Sequence, residues 1–240
     1  MSRVKTILKK CPLLYHSLQN AYHGFRGIIE THILGSKVQE WYWKNRKLKW
    51  GQDCLGSESI LHPHRQLVIE KIANYAPFSS ILEIGCAGGP NLVLLAQKFP
   101  NIKIRGLDIN PKAIEIGNEY FNKKGISNVK LLLGKADELR QFQNKSFDIV
   151  FTDAALMYIG PDKIKKVAIE MVRVARKAII LVEHHSEEKS ALGFYNKGNW
   201  LRDYKKLFQS FDLRIKTTKI PPEIWGGDWG KLGYIIEVIL

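Results

Sequence analysis

The chain has 240 residues, 45% of them apolar, which is enough for one domain with a full core or for one domain with an appendage. Its formal net charge is +14, and residues 1–50 alone hold ten Lys or Arg against two Glu, a balance that favours nucleic-acid phosphates or an anionic membrane face. Composition excludes a spanning helix, since no run approaches roughly 18 uninterrupted apolar residues, and Cys11, Cys54 and Cys86 have neither metal-ligand spacing nor a disulfide framework, so a cytoplasmic location without zinc is expected.

In chain order, Val4, Ile7, Leu8, Cys11, Leu14, Leu18, Tyr22, Phe25, Ile29 and Ile33 recur every three or four residues beside Lys5, Lys9 and Lys10. The spacing predicts a basic amphipathic helix, bent near Pro12 and Gly24. It can pack on the core or a partner, lie peripherally on an anionic membrane, or bind nucleic acid. Glu40 to Trp50 interleaves tryptophans with cations, a pattern that stacks bases, seats at a headgroup boundary, or covers the fold. Gly51 to Ser59 reads as a polar linker or mobile lid. His62-Pro63-His64-Arg65 opens a helix that runs through Ala76, with Leu67, Val68, Ile72 and Tyr75 inward.

Ser80 to Ala96 is the stretch around which the rest of the chain is organised. Ile81, Leu82 and Ile84 form a short buried strand that breaks into Gly85-Cys86-Ala87-Gly88-Gly89-Pro90, after which Leu92, Leu94, Leu95 and Phe99 recur at helical spacing. A strand, a Gly-rich turn and a helix let the backbone approach a ligand closely, and Glu83 ends the strand with a carboxylate. The turn does not match the G-x-G-x-x-G of nicotinamide sites, because Pro90 stands where the third glycine belongs. A second strand, Lys103 to Asp108, ends in a carboxylate able to accept from two ribose hydroxyls, and Asn110-Pro111 starts a helix to Lys123. Further strands are expected at Val129–Leu133, Phe147–Thr152 and Ala178–Glu183, with a helix from Pro161 to Arg176. Trp200–Phe208 reads as helix, and Leu213–Ile220 and Tyr234–Leu240 read as strands.

Leu-Glu-Ile-Gly-Cys-Ala-Gly-Gly, Gly-Leu-Asp-Ile-Asn-Pro, Ala-Asp and Phe-Asp-Ile-Val, in this order and spacing, resemble class I S-adenosylmethionine-dependent methyltransferases. The chain departs from the family pattern at Ala87, where a second glycine is usual. The resemblance implies an α/β, doubly wound, mostly parallel seven-stranded sheet with an antiparallel last strand over residues 60–240, preceded by an N-terminal helical extension and lid over residues 1–59. It also implies S-adenosylmethionine as cofactor, bound by Glu83, Gly85, Cys86, Ala87, Gly89, Asp108, Ile109, Ala136, Asp137 and Asp153. Among these, Glu83 and Gly85 would line its amino-acid portion, Asp108 its ribose, and Ala136 with Asp137 its adenine edge.

Ligands of open parallel sheets bind beyond the carboxyl ends of the strands, and methyl transfer to a hydroxyl needs an aligned nucleophile and a proton acceptor. Candidates for that base are His184 and His185 after the fifth strand, Asp153 after the fourth, and His64; the resemblance also implies that the segment before the first strand covers the pocket, which makes His64 and Arg65 candidate site residues. Asp148, at the start of its strand, is read as structural. Trp225 and Trp229 offer faces for a ring or sugar, or pin a hairpin loop. The expected activity is methylation of an oxygen or nitrogen of a small-molecule, glycan or lipid-linked acceptor. The alternatives are RNA methylation, which charge alone supports because Asp153-Ala154-Ala155-Leu156 replaces an Asn-Pro-Pro-Tyr type motif, and a non-catalytic cofactor-fold binding protein.

Overall fold

The computed structural model describes residues 35–47, 53–196 and 198–240. The periodic segment 4–33 and Trp50 lie outside them. Local sequence signals start the helices. Helix α1 is Lys37–Lys44 and α2 the turn Ser57–Ile60. Helix α3, Pro63–Ala73, has proline in its first turn. Strand β1, Ser80–Ile84, leads through the glycine turn into α4, Pro90–Lys98, whose preceding residue Gly89 sits at φ 88°. Strand β2, Lys103–Asp108, is followed by α5, Pro111–Lys123, where the Asn110 side chain accepts from the amides of Lys112 and Ala113. Strands β3 (Val129–Leu133) and β4 (Phe147–Asp153), helix α6 (Ile164–Val174) and strand β5 (Ala175–His184) complete the alternation.

The remaining elements are β6 (Phe194–Asn196), β7 (Asn199–Leu201), α7 (Tyr204–Phe208), β8 (Arg214–Lys219), α8 (Gly227–Leu232) and β9 (Gly233–Ile239). The sheet order is β3-β2-β1-β4-β5-β9-β8, with β9 antiparallel to both neighbours. The sheet is thus seven-stranded and mixed, as the alternating pattern and the resemblance imply. The helix expected at Pro161–Arg176 is shorter, and the strand after it starts earlier, at Ala175. The expected helix Trp200–Phe208 is corrected: residues 199–201 form a hairpin with 194–196, and the helix starts only after Asp203, whose carboxylate accepts from the Lys205 and Lys206 amides. Among the described residues no helix is long and apolar enough to cross a membrane.

Two apolar layers sandwich the sheet, because successive strand side chains point to opposite faces. Ile81, Ile149, Phe151, Ala178, Ile180 and Val182 pack on one side with Val68 and Ile72 of α3 and Leu92 and Leu95 of α4. Leu82, Ile84, Val150, Ile179 and Leu181 pack on the other with Val167 and Met171 of α6 and Leu207 and Phe208 of α7. Each of these side chains larger than alanine contributes about 1.5–3 kcal/mol of burial. Strand order reverses between β1 and β4, so the connections leaving their carboxyl ends run to opposite sides of the sheet and leave the crevice in which ligands of such sheets bind.

Candidate active site

A cleft of ≈ 560 Å³ opens at these carboxyl ends, a volume in the range of small-ligand sites. Its floor is the glycine turn, pinned to β2 by Gly85 and Cys86 amides that donate to the Leu107 carbonyl at 2.7 and 3.1 Å. Gly85 has φ 78°, and an added Cβ would stand 2.4 Å from that of Ala155. Ala87 also takes a left-handed conformation, φ 49°, which costs an L-residue about 1–2 kcal/mol and explains why glycine suits this position. The cost accompanies a hydrogen bond: its amide donates to Asp108 Oδ2 at 2.8 Å, while Oδ1 accepts from the Asn110 amide at 2.8 Å. Burial raises the Asp108 carboxyl above its ordinary value, and these amides pull it back.

Beside the turn lies a buried polar cluster gathered from four elements. Asn91 Nδ2 bridges two carboxylates, donating to Glu83 Oε1 at 2.7 Å and to Asp153 Oδ2 at 3.0 Å. Arg65 Nη1 donates to Asn91 Oδ1 at 2.9 Å and to Asp153 Oδ2 at 3.0 Å, and His64 Nε2 lies 3.1 Å from the same oxygen. The second oxygens, Glu83 Oε2 and Asp153 Oδ1, are buried without a hydrogen-bond partner. Burial pushes Glu83 up to about 8, with Asp153 adding to the shift and Asn91 opposing it. Burial acts on Asp153 in the same direction, but His64, Arg65 and Asn91 outweigh it and hold that carboxyl below its ordinary value.

Two covers flank the cleft. Helix α1 contributes Ser36, Gln39, Glu40 and Trp43. It is tied down by Ser36 Oγ donating to Asp162 at 2.8 Å, by Asn110 Nδ2 donating to the Trp43 carbonyl at 2.8 Å, and by Lys163, which pairs with Glu40. Lys163 and Lys166 also reach Asp137 Oδ2, at 3.5 and 3.3 Å. The Trp43 ring packs on Tyr158 at 4.6 Å. On the other flank Trp225 is sandwiched between His64 at 3.8 Å and Trp229 at 3.9 Å, and His184 closes the far side of Trp229 at 4.4 Å. Both faces of Trp225 are therefore taken, and it meets the cleft by its edge. The segment read as a linker also packs here: an added Cβ on Gly88 would stand 3.2 Å from both Cys54 Sγ and Leu55 Cδ1.

Of the residues singled out by sequence, Glu83, Gly85, Cys86, Ala87, Asp108, Ile109, Ala136, Asp137, Asp153, His64 and Arg65 line the cleft. Gly89 does not, since it packs behind the turn against Phe121. His184 and His185 do not either, which corrects their expected place on the cleft side. His184 pairs in register with Gly233 of β9 and packs tilted against Trp229, while His185 Nδ1 accepts from the Tyr204 amide at 3.2 Å. Burial lowers both imidazoles below their ordinary values, keeping them neutral. Asp148 is a structural acceptor for the Ser79 amide and hydroxyl. Residues that sequence reasoning passed over are Asn91, whose only signal is its place in the first turn after the glycines, and Arg202, which has none.

A family model described as a methyltransferase domain matches residues 78–235. The chain is 26% identical over 125 residues to the ribosomal RNA small subunit methyltransferase G of Phocaeicola vulgatus, covering 52% of this chain and 53% of that protein. It is 27% identical over 125 residues to the protein-L-isoaspartate O-methyltransferase of Pyrococcus horikoshii, covering 52% and 54%. The chain thus spans about half the length of these curated relatives. Among solved structures, magnesium protoporphyrin IX methyltransferase from Synechocystis PCC 6803, with bound SAH, aligns with TM-score 0.64 at 14% identity over 84% of this chain and 98% of that one. This last likeness shows the fold.

Proposed function

Because the chain belongs to the methyltransferase-domain family, we propose that it transfers a methyl group from S-adenosylmethionine to an oxygen or nitrogen of a small-molecule, glycan or lipid-linked acceptor. The observation that carries this reading is the single cleft where Glu83, Gly85, Asp108, Ala136 and Asp137 meet. The residues fit the cofactor on structural grounds. Glu83 Oε2 is a buried acceptor without a partner, suited to an ammonium group. A side chain at Gly85 would collide with Ala155, and the Asp108 carboxylate keeps lone pairs for hydroxyl donors beyond its two amide bonds.

When bound, the cofactor supplies an electrophilic methyl group on a sulfonium. The protein aligns the acceptor and receives its proton. Asp153 is the candidate receiver: its Oδ1 is buried and unpartnered at the cleft, and Arg65, Asn91 and His64 fix its other oxygen. His64 is a positioning residue in this reading, because Nε2 addresses Asp153 and Nδ1 lies 2.5 Å from His62 Nδ1. Helix α1 and Trp225 exclude water from the two flanks.

A second reading, RNA methylation, is supported by the relatives named ribosomal RNA methyltransferases and by the +14 charge. We place the activity in the cytoplasm, with the basic residues 1–50 as a contact for anionic membranes. Release of S-adenosylhomocysteine, measured with glycan, lipid and RNA fractions in turn, separates the readings. Turnover with RNA alone would replace the small-acceptor reading, and failure of the intact chain to bind S-adenosylhomocysteine in calorimetry would remove both.

A further inference from the structure

The loop after β4, residues 154–159, forms a wall of the cleft beside the glycine turn, lining it with Ala154, Ala155, Tyr158 and Ile159. It presses Ala155 toward Gly85 and Tyr158 against Trp43, and Ala154 in it has a left-handed φ of 54°. Strain of this kind persists only where surrounding structure over-determines the backbone. Two fully buried charged side chains do so here. Glu183, at the end of β5, receives three consecutive amides: Oε1 accepts from Ala155 at 3.0 Å and Leu156 at 2.8 Å, and Oε2 from Met157 at 3.0 Å. Its Oε1 also accepts from Thr152 Oγ1 at 2.9 Å. Arg202 takes the carbonyls of the same loop, Nη1 donating to Leu156 at 2.9 Å and Nη2 to Ile159 at 2.6 Å. Both residues are 0% exposed.

We propose that Glu183 and Arg202 are a pair of positioning residues that grip opposite poles of the 154–159 peptide groups and so set this wall of the cleft. The carboxylate faces N–H groups, the guanidinium faces C=O groups, and the peptide dipoles between them align with both charges. Arg202 reaches the loop because the β6–β7 hairpin delivers it: residue 202 bridges to His185, the Ser186 amide donates to its carbonyl at 3.1 Å, and Gly193, at φ 92°, leaves room beside the guanidinium, since an added Cβ there would stand 3.1 Å from Nε. The 186–203 segment is therefore joined to this wall of the cleft by the Arg202 side chain, and to helix α1 by its Gly198 carbonyl, which accepts from Gln39 Nε2 at 3.1 Å. The grip follows from geometry alone, whereas its effect on a ligand rests on the methyltransferase reading.

Amide hydrogen exchange and S-adenosylhomocysteine calorimetry on the full chain test this. Removing one partner leaves a buried charge uncompensated, whereas removing both together is often tolerated, so the charge-neutral double variant Glu183→Gln/Arg202→Met is the main probe. Exchange at Ala155, Leu156 and Met157 should rise at least tenfold relative to the β4 amides, and affinity for S-adenosylhomocysteine should fall at least fivefold. Arg202→Lys, which keeps the charge but not the two-pronged reach, should fall between the double variant and the native chain, and it decides the matter by the same criteria if the double variant does not fold. Unchanged relative exchange at the three amides, or an affinity within twofold of native, overturns the proposal. If the intact chain does not bind S-adenosylhomocysteine, the methyltransferase reading fails and the exchange result alone decides the grip.

Discussion

Replacing Gly85 by Ala tests how rigidly the cleft is built. At φ 78° an L-residue pays about 1–2 kcal/mol. The new methyl carbon would stand 2.4 Å from Ala155 Cβ, against roughly 3.5–4.0 Å for carbons in contact. The overlap cannot be relieved by a rotamer change, because both atoms are Cβ. The 154–159 loop would have to retreat, and its Ala155 amide is held by buried Glu183. Overpacking of this kind costs about 1–3 kcal/mol, so Gly85→Ala should destabilise the chain by about 2–5 kcal/mol in all. For a chain of this size the melting temperature should drop by about 4–20 °C. The assay is urea unfolding of the native chain, Gly85→Ala, Ala155→Gly and the double variant. The overlap is a pairwise effect and the φ penalty is not, so the cycle should show a favourable coupling of at least about 1 kcal/mol in the double variant. Effects that add to within about 0.3–0.5 kcal/mol, as for independent sites, would refute the reasoning.

Glu83 predicts a pH dependence of binding. Its carboxyl, raised to about 8 by burial and Asp153, keeps its proton at pH 6–7, and a cationic ligand group selects the ionised form. Affinity for S-adenosylhomocysteine should therefore rise from pH 6 toward pH 8 by up to about tenfold per unit and level off above. A flat profile by calorimetry, or one that survives in Glu83→Gln, would contradict this. Asp108→Asn puts an amide donor where two backbone amides now donate, and an unpaired buried donor costs about 1–3 kcal/mol, which urea midpoints at constant slope would show. His184→Gln and His185→Gln should lower stability yet leave S-adenosylhomocysteine affinity within twofold. A tenfold loss of affinity at unchanged melting temperature would return these rings to the site.

Much of the molecule was legible in linear form. Helix Pro111–Lys123 begins and ends as the sequence indicates because its start signals, Asn110 and Pro111, act within one turn. Strand β1 and its glycine turn were equally local. The same logic failed for Trp200–Phe208, where apolar residues suit either a helix or a hairpin, and pairing with residues 194–196 decided the first part of the segment. His184 and His185 were misplaced for a related reason. Reading the end of a strand locates the backbone, but β9 returns antiparallel and starts beside His184, so the His184 ring packs on Trp229 of α8 and the His185 ring turns to the Tyr204 amide at the start of α7.

The parallel core is written in the linear pattern, as are the carboxylates Glu83, Asp108 and Asp153 at its strand ends and Asp137 in the turn after β3. Both come from short-range periodicity and from the rule that ligands meet the carboxyl edge of such sheets. Only the tertiary structure decided which groups serve those carboxylates. Arg65 and His64 reach Asp153 across 88 and 89 positions, and Arg202 reaches Leu156 across 46. A buried charge must find its partner in three dimensions, and no spacing in the chain records where that partner will be.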